Sequence, residues 1–96
     1  MKRILIIEDD PAIRTGLKEA FATEGYSVSE AETGTGGFEL AIHNNFDLIV
    51  LDLILPGKDG IEICKDLRSG GVKTPVIMVT SRKEEIDKIL GLEIGA

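Results

Sequence analysis

The chain has 96 residues, of which 43% are apolar and 29% are charged, a composition typical of one small globular domain and not of a disordered segment. A net charge of −6 and a sequence pI of about 4.7 argue against direct binding of nucleic acid by this chain. The single cysteine, Cys64, excludes an internal disulfide, and no apolar run approaches transmembrane length. We therefore expect a cytoplasmic protein without a membrane partner.

Apolar runs with strand character alternate with segments of helical period along the chain. The predicted elements in chain order are a strand at 3–8, a helix that begins at Pro11 after the capping residue Asp10 and ends at Gly25, a strand at 26–31, a helix at 35–44, a strand at 46–52, a loop at 53–58, a helix at 59–69, a strand at 76–80 and a helix that begins at Ser81. This alternation predicts an α/β fold, a doubly wound parallel sheet of the flavodoxin-like type with strand order 2-1-3-4.

Helical spacing also predicts which side chains the helices bury. The residues expected to be buried are Ile13, Leu17, Ala20 and Phe21 in the first helix, Phe38, Ala41 and Ile42 in the second, and Ile61, Cys64 and Leu67 in the third. These helix faces are expected to pack against the two sides of the sheet.

Carboxylates follow two of the predicted strands at the point where each strand ends. Glu8 and Asp9 close the first strand, and Asp52 closes the third. Because ligands bind beyond the carboxyl ends of parallel strands where the strand order reverses, we expect these carboxylates and the Thr80 hydroxyl at one edge of the sheet. Like charges placed together raise one another's pKa and cost stability, so packing alone does not account for the cluster.

Carboxylate oxygens gathered in this way suit Mg²⁺, which takes few protein ligands, keeps several waters and shares a phosphate. The metal would neutralise the cluster and orient a phosphoryl group toward Asp52. An aspartate can act as a nucleophile on phosphorus, and the transfer needs mainly alignment and charge neutralisation. The residues therefore predict a Mg²⁺-dependent phosphoacceptor site.

Three motifs carry a resemblance to a known family. They are Ile-Ile-Glu-Asp-Asp at 6–10, Val-Leu-Asp at 50–52 followed by Leu-Pro-Gly-Lys-Asp-Gly at 55–60, and Val-Thr-Ser at 79–81. Together they resemble the receiver domain of bacterial two-component response regulators over essentially the whole chain. The resemblance implies that Asp52 is the phosphoacceptor, that a sensor histidine kinase is the partner, and that Thr80 is the switch hydroxyl. The implied magnesium ligands are Glu8, Asp9, Asp52 and the backbone carbonyl of Ile54.

The resemblance also implies that part of the domain is missing from residues 1–96. An intact receiver carries a fifth strand and a fifth helix, so we expect a truncated receiver domain. The fifth strand brings a lysine that pairs with the phosphoryl oxygens, and its absence is expected to impair phosphorylation. The strand at 76–80 would then be an exposed sheet edge, through which copies of the chain could self-associate.

Two alternatives stay open at this point. In the first, the fold is kept but the chemistry is lost, and the chain is a phosphorylation-incompetent interaction or self-assembly module. The absent lysine favours that reading, and the carboxylates at 8, 9 and 52 disfavour it. In the second, the chain is a small phosphohydrolase with an aspartyl nucleophile after its first strand. Such enzymes require an Asp-x-Asp pair, whereas this chain has Glu8-Asp9-Asp10. The leading interpretation is a phosphoacceptor that assists its own phosphorylation, not an enzyme.

Overall fold

The computed structural model describes residues 2–55, 58–79 and 92–94. Its elements in chain order are β1 (Arg3–Ile7), α1 (Pro11–Thr23), β2 (Ser27–Ala31), α2 (Gly34–His43), β3 (Leu48–Asp52), β4 (Ile54–Leu55), β5 (Lys58–Asp59), α3 (Gly60–Ser69), β6 (Val76–Val79) and β7 (Leu92–Ile94). The strands and helices predicted before residue 80 are all present, with boundaries that differ by one or two residues. The helix predicted from Ser81 lies outside the described residues. Within the described ranges, no helix has the length and apolar character needed to cross a membrane.

The main sheet determines which strand ends meet. Its strand order is β2-β1-β3-β6-β7, and the first four of these strands are parallel. The predicted fold class and the order 2-1-3-4 are confirmed, with β6 as the fourth parallel strand. Ile6 of β1 lies opposite Glu30 of β2 and Val50 of β3. The strand order reverses between β1 and β3, so their carboxyl ends border the crevice of the fold.

The two central strands, β1 and β3, are buried on both faces. Successive side chains of a strand point to opposite faces. Leu5 and Ile7 therefore belong to the larger of two core clusters, which also contains residues of α2 and α3. Ile4 and Ile6 belong to the smaller cluster, on the side of the sheet that α1 covers. Burial on both faces explains why these strands are apolar almost throughout.

Two isoleucines that were predicted to be buried are exposed. Ile42 of α2 is 40% exposed and Ile61 of α3 is 44% exposed. The buried residues of α3 are Gly60, Ile63, Cys64 and Leu67, spaced i, i+3, i+4 and i+7. The buried face thus begins one residue earlier than predicted, and Ile61 is turned away by about 100°. Ile42 follows the buried Ala41 and is turned outward in the same way.

The α1 helix covers the other face of the sheet and packs less deeply than predicted. Leu17 and Phe21 are partly buried against the smaller core cluster. Ile13 is also partly buried, but Ala20 is exposed, which contradicts the prediction for that residue. The contact face of α1 is therefore narrow and formed mainly by its two largest apolar side chains.

Two short strand pairings were not predicted. β4 and β5 pair antiparallel within and just beyond the predicted loop. β7 pairs antiparallel with β6, with Ile94 opposite Val76 and Leu92 opposite Met78. The expectation that the fourth parallel strand is an exposed edge is therefore wrong for residues 76–78, because the backbone of residues 92–94 pairs with them. Self-association of the chain stays a prediction.

Candidate functional site

Glu8 and Asp9 follow β1 at the carboxyl edge of the sheet. The backbone N–H of Glu8 donates to the carbonyl of Ala31 at 3.0 Å, which continues the β1–β2 pairing by one residue. The Glu8 side chain is buried, with 1% of its surface exposed, whereas Asp9 is exposed to solvent. The two neighbouring acids thus provide one buried and one solvent-accessible carboxylate.

Asp52 is the last residue of β3, and its side chain is fully buried. Its backbone lies opposite Val79 of β6. The next residue, Leu53, donates its N–H to the Val79 carbonyl at 2.7 Å. Because β3 is paired on both sides, the backbone that carries the Asp52 carboxylate is held by the centre of the sheet.

The structure brings the three predicted carboxylates together. One oxygen from each of Glu8, Asp9 and Asp52 lies within 4.8 Å of the other two. In octahedral Mg²⁺ coordination the oxygens lie at about 2.0–2.1 Å from the metal, so opposite ligands are about 4.2 Å apart. The three oxygens are thus close enough to one another to share one metal ion after at most a small side-chain rotation. The cluster therefore has the composition and the size of a magnesium site.

One oxygen of the cluster lacks the partner that burial normally requires. Glu8 Oε2 accepts a hydrogen bond from the Asp10 N–H at 3.0 Å. The buried Oε1 of Glu8 has no hydrogen-bond partner within the described residues. A buried carboxylate oxygen in this state costs free energy, and native proteins rarely leave one without a functional reason. A divalent cation bound to the three acids would supply the missing contact.

Burial and neighbouring acids raise the pKa of Glu8 from 4.5 to about 8. Desolvation is the largest cause, because burial disfavours the charged form. The hydrogen bond from the Asp10 N–H opposes this shift, and repulsion from Asp52 adds to it. The neighbouring side chains of Asp52 and Asp9 raise the pKa further. Without a metal, the cluster therefore retains one proton at neutral pH.

Asp10, the third acid of the run, caps α1 as predicted. Its Oδ1 accepts hydrogen bonds from the backbone N–H of Ala12 at 2.9 Å and of Ile13 at 3.2 Å. Pro11 occupies the first turn of the helix, where its missing N–H is not needed. The Asp10 side chain is thus explained by the start of the helix and not by the cluster.

Two residues that shape the site were not predicted. Gly60 donates its N–H to the Leu53 carbonyl at 2.7 Å, and a Cβ at this position would lie 2.6 Å from the carbonyl oxygen of Asp52. Only glycine permits so close an approach of α3 to the backbone that carries Asp52. The second residue is Arg14 of α1, which contacts the backbone of Glu8. A glycine at the first position of a helix and a cation near a helix N-terminus were the available signals, since helix propensity disfavours the glycine and the helix dipole disfavours the cation.

Two predicted site residues are not tested by the geometry. Ile54 begins β4, and its backbone pairs with Asp59 of β5. The assignment of its carbonyl as a magnesium ligand stays a prediction. Thr80 lies outside the described residues, so its assignment as the switch hydroxyl stays a prediction as well.

Comparison with known proteins identifies the family. The family model of the response regulator receiver domain matches residues 4–96. The transcriptional regulatory protein AfsQ1 of Streptomyces coelicolor is 44% identical over 96 residues, which are 100% of this chain and 42% of that protein. The alkaline phosphatase synthesis transcriptional regulatory protein PhoP of Bacillus subtilis is 44% identical over 95 residues, which are 99% of this chain and 40% of that protein. The chain thus spans about two fifths of the length of these curated relatives.

Solved structures agree with the sequence relatives. The response regulator protein TrrA of Thermotoga maritima, in complex with Mg²⁺ and BeF, has a TM-score of 0.80 and 34% identity over 91% of this chain and 76% of that chain. A crystal structure of the histidine kinase ThkA in complex with TrrA contains a chain with a TM-score of 0.78 and 37% identity, over 84% of this chain and 70% of that chain. The shared motifs, strand order and acidic cluster have one explanation: this chain belongs to the receiver domain family of two-component response regulators.

Proposed function

We propose that this chain is a phosphoacceptor switch in which Asp52 receives a phosphoryl group from a sensor histidine kinase. The observation that carries the proposal is the meeting of three carboxylates at the ends of two adjacent parallel strands. Two of them, Glu8 and Asp52, are buried side by side. Such burial costs free energy, so it is better explained by chemistry than by packing.

Asp52 is the best candidate for the nucleophile. In the proposed reaction an Asp52 carboxylate oxygen attacks phosphorus and forms a new O–P bond. The bond between phosphorus and the leaving atom of the donor breaks, and the leaving group departs with that electron pair. The product is an acyl phosphate. The backbone around Asp52 is fixed by the pairing with Val79 and by the close contact with Gly60, which favours a constant alignment of the attacking oxygen.

Glu8 and Asp9 would hold Mg²⁺ together with Asp52 and the carbonyl of Ile54. Bound there, the metal would neutralise the negative charge of the acids and of the incoming phosphoryl group. An anionic phosphoryl donor would otherwise approach a cluster of three acids within 4.8 Å of one another, with no cation to offset their charge. The likeness to TrrA, which was solved with Mg²⁺ and BeF, supports this part of the proposal.

The proposed partner is a histidine kinase, which would present the phosphoryl group on an imidazole nitrogen. The likeness of this chain to the complex of ThkA with TrrA supports such a partner. The chain would contribute the nucleophile and the metal ligands, and would therefore assist its own phosphorylation. Family membership gives no support to the phosphohydrolase alternative.

Mass spectrometry of the intact chain after incubation with Mg²⁺ and acetyl phosphate tests the proposal. We expect one phosphoryl group on the parent, none on Asp52→Asn, and none on either protein in EDTA. A matched control is Asp47→Asn, because Asp47 lies before the other end of β3, where its Oδ2 accepts a hydrogen bond from the Arg3 N–H at 2.7 Å. This control should be phosphorylated like the parent. The adduct should be released by hydroxylamine, as expected of an acyl phosphate.

Two results would contradict the proposal. Phosphorylation of Asp52→Asn to the level of the parent would place the acceptor elsewhere. A parent chain that binds Mg²⁺ but gains no phosphoryl group would favour the alternative of an interaction module that keeps the metal site without the acceptor chemistry.

A further inference from the structure

The guanidinium group of Arg14 lies against the backbone of residues 8–10, here called the acidic loop. Its Nη1 donates to the carbonyl oxygen of Glu8 at 2.9 Å and, at a longer 3.4 Å, to that of Asp9. Its Nε forms an ion pair with Glu30 Oε1 at 3.3 Å, and the Arg14 side chain is only 15% exposed. One side chain thus connects the acidic loop, α1 and β2.

The hydrogen bonds of this loop show why the contact matters. The N–H of Glu8 donates to Ala31, and the N–H of Asp10 donates to the Glu8 side chain. The carbonyl of Asp10 accepts from the backbone N–H of Arg14, as the first bond of the helix. The carbonyls of Glu8 and Asp9 precede the first hydrogen bond of the helix. The Arg14 side chain donates to both of them. Arg14 thus contacts both peptide groups that follow the acids, and the second of these groups is also held by the bond from the Asp10 N–H to Glu8.

Arg14 is itself held in place by the sheet. Glu30 lies on β2 directly opposite Ile6, two residues before Glu8. Its second oxygen, Oε2, pairs with Lys18 Nζ at 3.1 Å. Lys18 thus shares the partner of Arg14, but among the described residues it makes no hydrogen bond or ion pair with the acidic loop. The two cations offer a natural comparison, because one contacts both the loop and Glu30 while the other contacts Glu30.

We propose that Arg14 is a positioning residue for the acidic cluster: by holding the carbonyls of Glu8 and Asp9 it fixes the peptide planes from which both carboxylates project toward Mg²⁺. This inference rests on the proposed metal site and names a residue that acts through the ligands and not on the metal. The planar guanidinium suits the role, because its nitrogens donate to the loop and to Glu30 at the same time. An ammonium group is a single point charge and cannot reproduce this geometry.

The positive charge of Arg14 should weaken Mg²⁺ binding, whereas its positioning of the loop should strengthen it. A cation near the acids weakens their attraction for Mg²⁺, so removal of the charge would by itself strengthen metal binding. Arg14→Lys keeps the charge and removes the guanidinium fork, and therefore separates the two effects. Lys18→Arg is the matched control, because it also keeps the charge and changes the other cation that pairs with Glu30.

Titration of Mg²⁺ into the isotope-labelled parent, Arg14→Lys and Lys18→Arg, followed by NMR, tests the inference. Loss of groups that orient metal ligands typically weakens metal binding by about 10–100-fold, so we expect at least about a tenfold larger Kd for Arg14→Lys. Lys18→Arg should bind Mg²⁺ like the parent. In the metal-free state, the carbonyl ¹³C resonances of Glu8 and Asp9 should shift in Arg14→Lys, whereas that of Ala31 should stay unchanged.

The outcomes distinguish this inference from the proposed function. If the parent binds Mg²⁺ and Arg14→Lys binds it equally well, Arg14 has no positioning role and the metal site stands. If Arg14→Lys loses the same stability in EDTA and in Mg²⁺ with an unchanged Kd, its role is structural and the inference is overturned. If the parent binds no Mg²⁺, the metal site and this inference both fail.

Discussion

Replacement of Glu8 by glutamine should stabilise the metal-free chain at alkaline pH. The Glu8 side chain is buried, its Oε1 has no hydrogen-bond partner within the described residues, and the Asp52 carboxylate lies beside it. Glutamine has the same shape, keeps an oxygen that can accept from the Asp10 N–H, and carries an amide that can donate to a neighbouring carboxylate. The substitution therefore removes a buried charge and changes little else.

The pKa of Glu8 sets the size of the effect. A folded-state pKa of about 8 against an ordinary value of 4.5 corresponds to at most about 5 kcal/mol of unfolding free energy. Because the folded-state pKa is raised, this penalty is absent below pH 4.5, grows as the pH rises and is complete above pH 8. Water entry and side-chain relaxation reduce it, so we expect a gain of about 2–4 kcal/mol at pH 8.5. That gain is a large part of a total stability of about 5–15 kcal/mol.

Urea denaturation in EDTA, from pH 5 to pH 8.5, measures the effect. The stability of Glu8→Gln should nearly equal that of the parent at pH 5 and exceed it increasingly as the pH rises. Glu19→Gln, an exposed substitution on α1, should follow the parent throughout. Added Mg²⁺ should stabilise the parent more than Glu8→Gln, because the metal binds the folded cluster. A variant no more stable than the parent at pH 8.5, or stabilised equally at pH 5, would refute the reasoning.

Substitutions of Gly60 and Asp10 test the backbone around the cluster. Gly60→Ala should destabilise the chain by about 2–3 kcal/mol in urea denaturation, because the new Cβ would lie 2.6 Å from the Asp52 carbonyl oxygen. Gly16→Ala, which has open space within α1, should instead stabilise it by about 1 kcal/mol, and equal effects at the two glycines would contradict the contact. Asp10→Ala should lower the unfolding free energy by about 1 kcal/mol through loss of the helix cap, and Asp10→Ser should recover most of that loss. An unchanged denaturation midpoint for Asp10→Ala would argue against the cap.

The position of the acidic cluster was predictable because it depends on topology more than on side-chain detail. Two apolar runs end in acids, and parallel strands that alternate with helices bring their carboxyl ends to one edge of a sheet. Glu8, Asp9 and Asp52 meet there within 4.8 Å. This prediction does not depend on the orientation of any one helix, so it holds although the buried faces of some helices were predicted wrongly.

The errors concern features that depend on helix phase and on long-range pairing. Ile61 was predicted to be buried in place of Ile63 because both patterns have helical period, and the phase is fixed only by the cap at Asp59 and the contact of Gly60 with β3. The pairing of β7 with β6 was missed because three residues far along the chain carry no strand signal of their own. The contacts of Arg14 were missed because its carbonyl partners become visible only once the loop is folded.

In the proposed site, a proton and Mg²⁺ compete for the same carboxylate. With the pKa of Glu8 at about 8, the metal must displace one proton at neutral pH, which lowers its apparent affinity by about tenfold for each pH unit below 8. Without metal, that proton on Glu8 partly neutralises the cluster. With metal bound, the acids could all be ionised, and the Asp52 oxygen that does not ligate Mg²⁺ could attack phosphorus. The burial that costs the metal-free chain stability is thus the same feature that would make its acceptor chemistry depend on Mg²⁺.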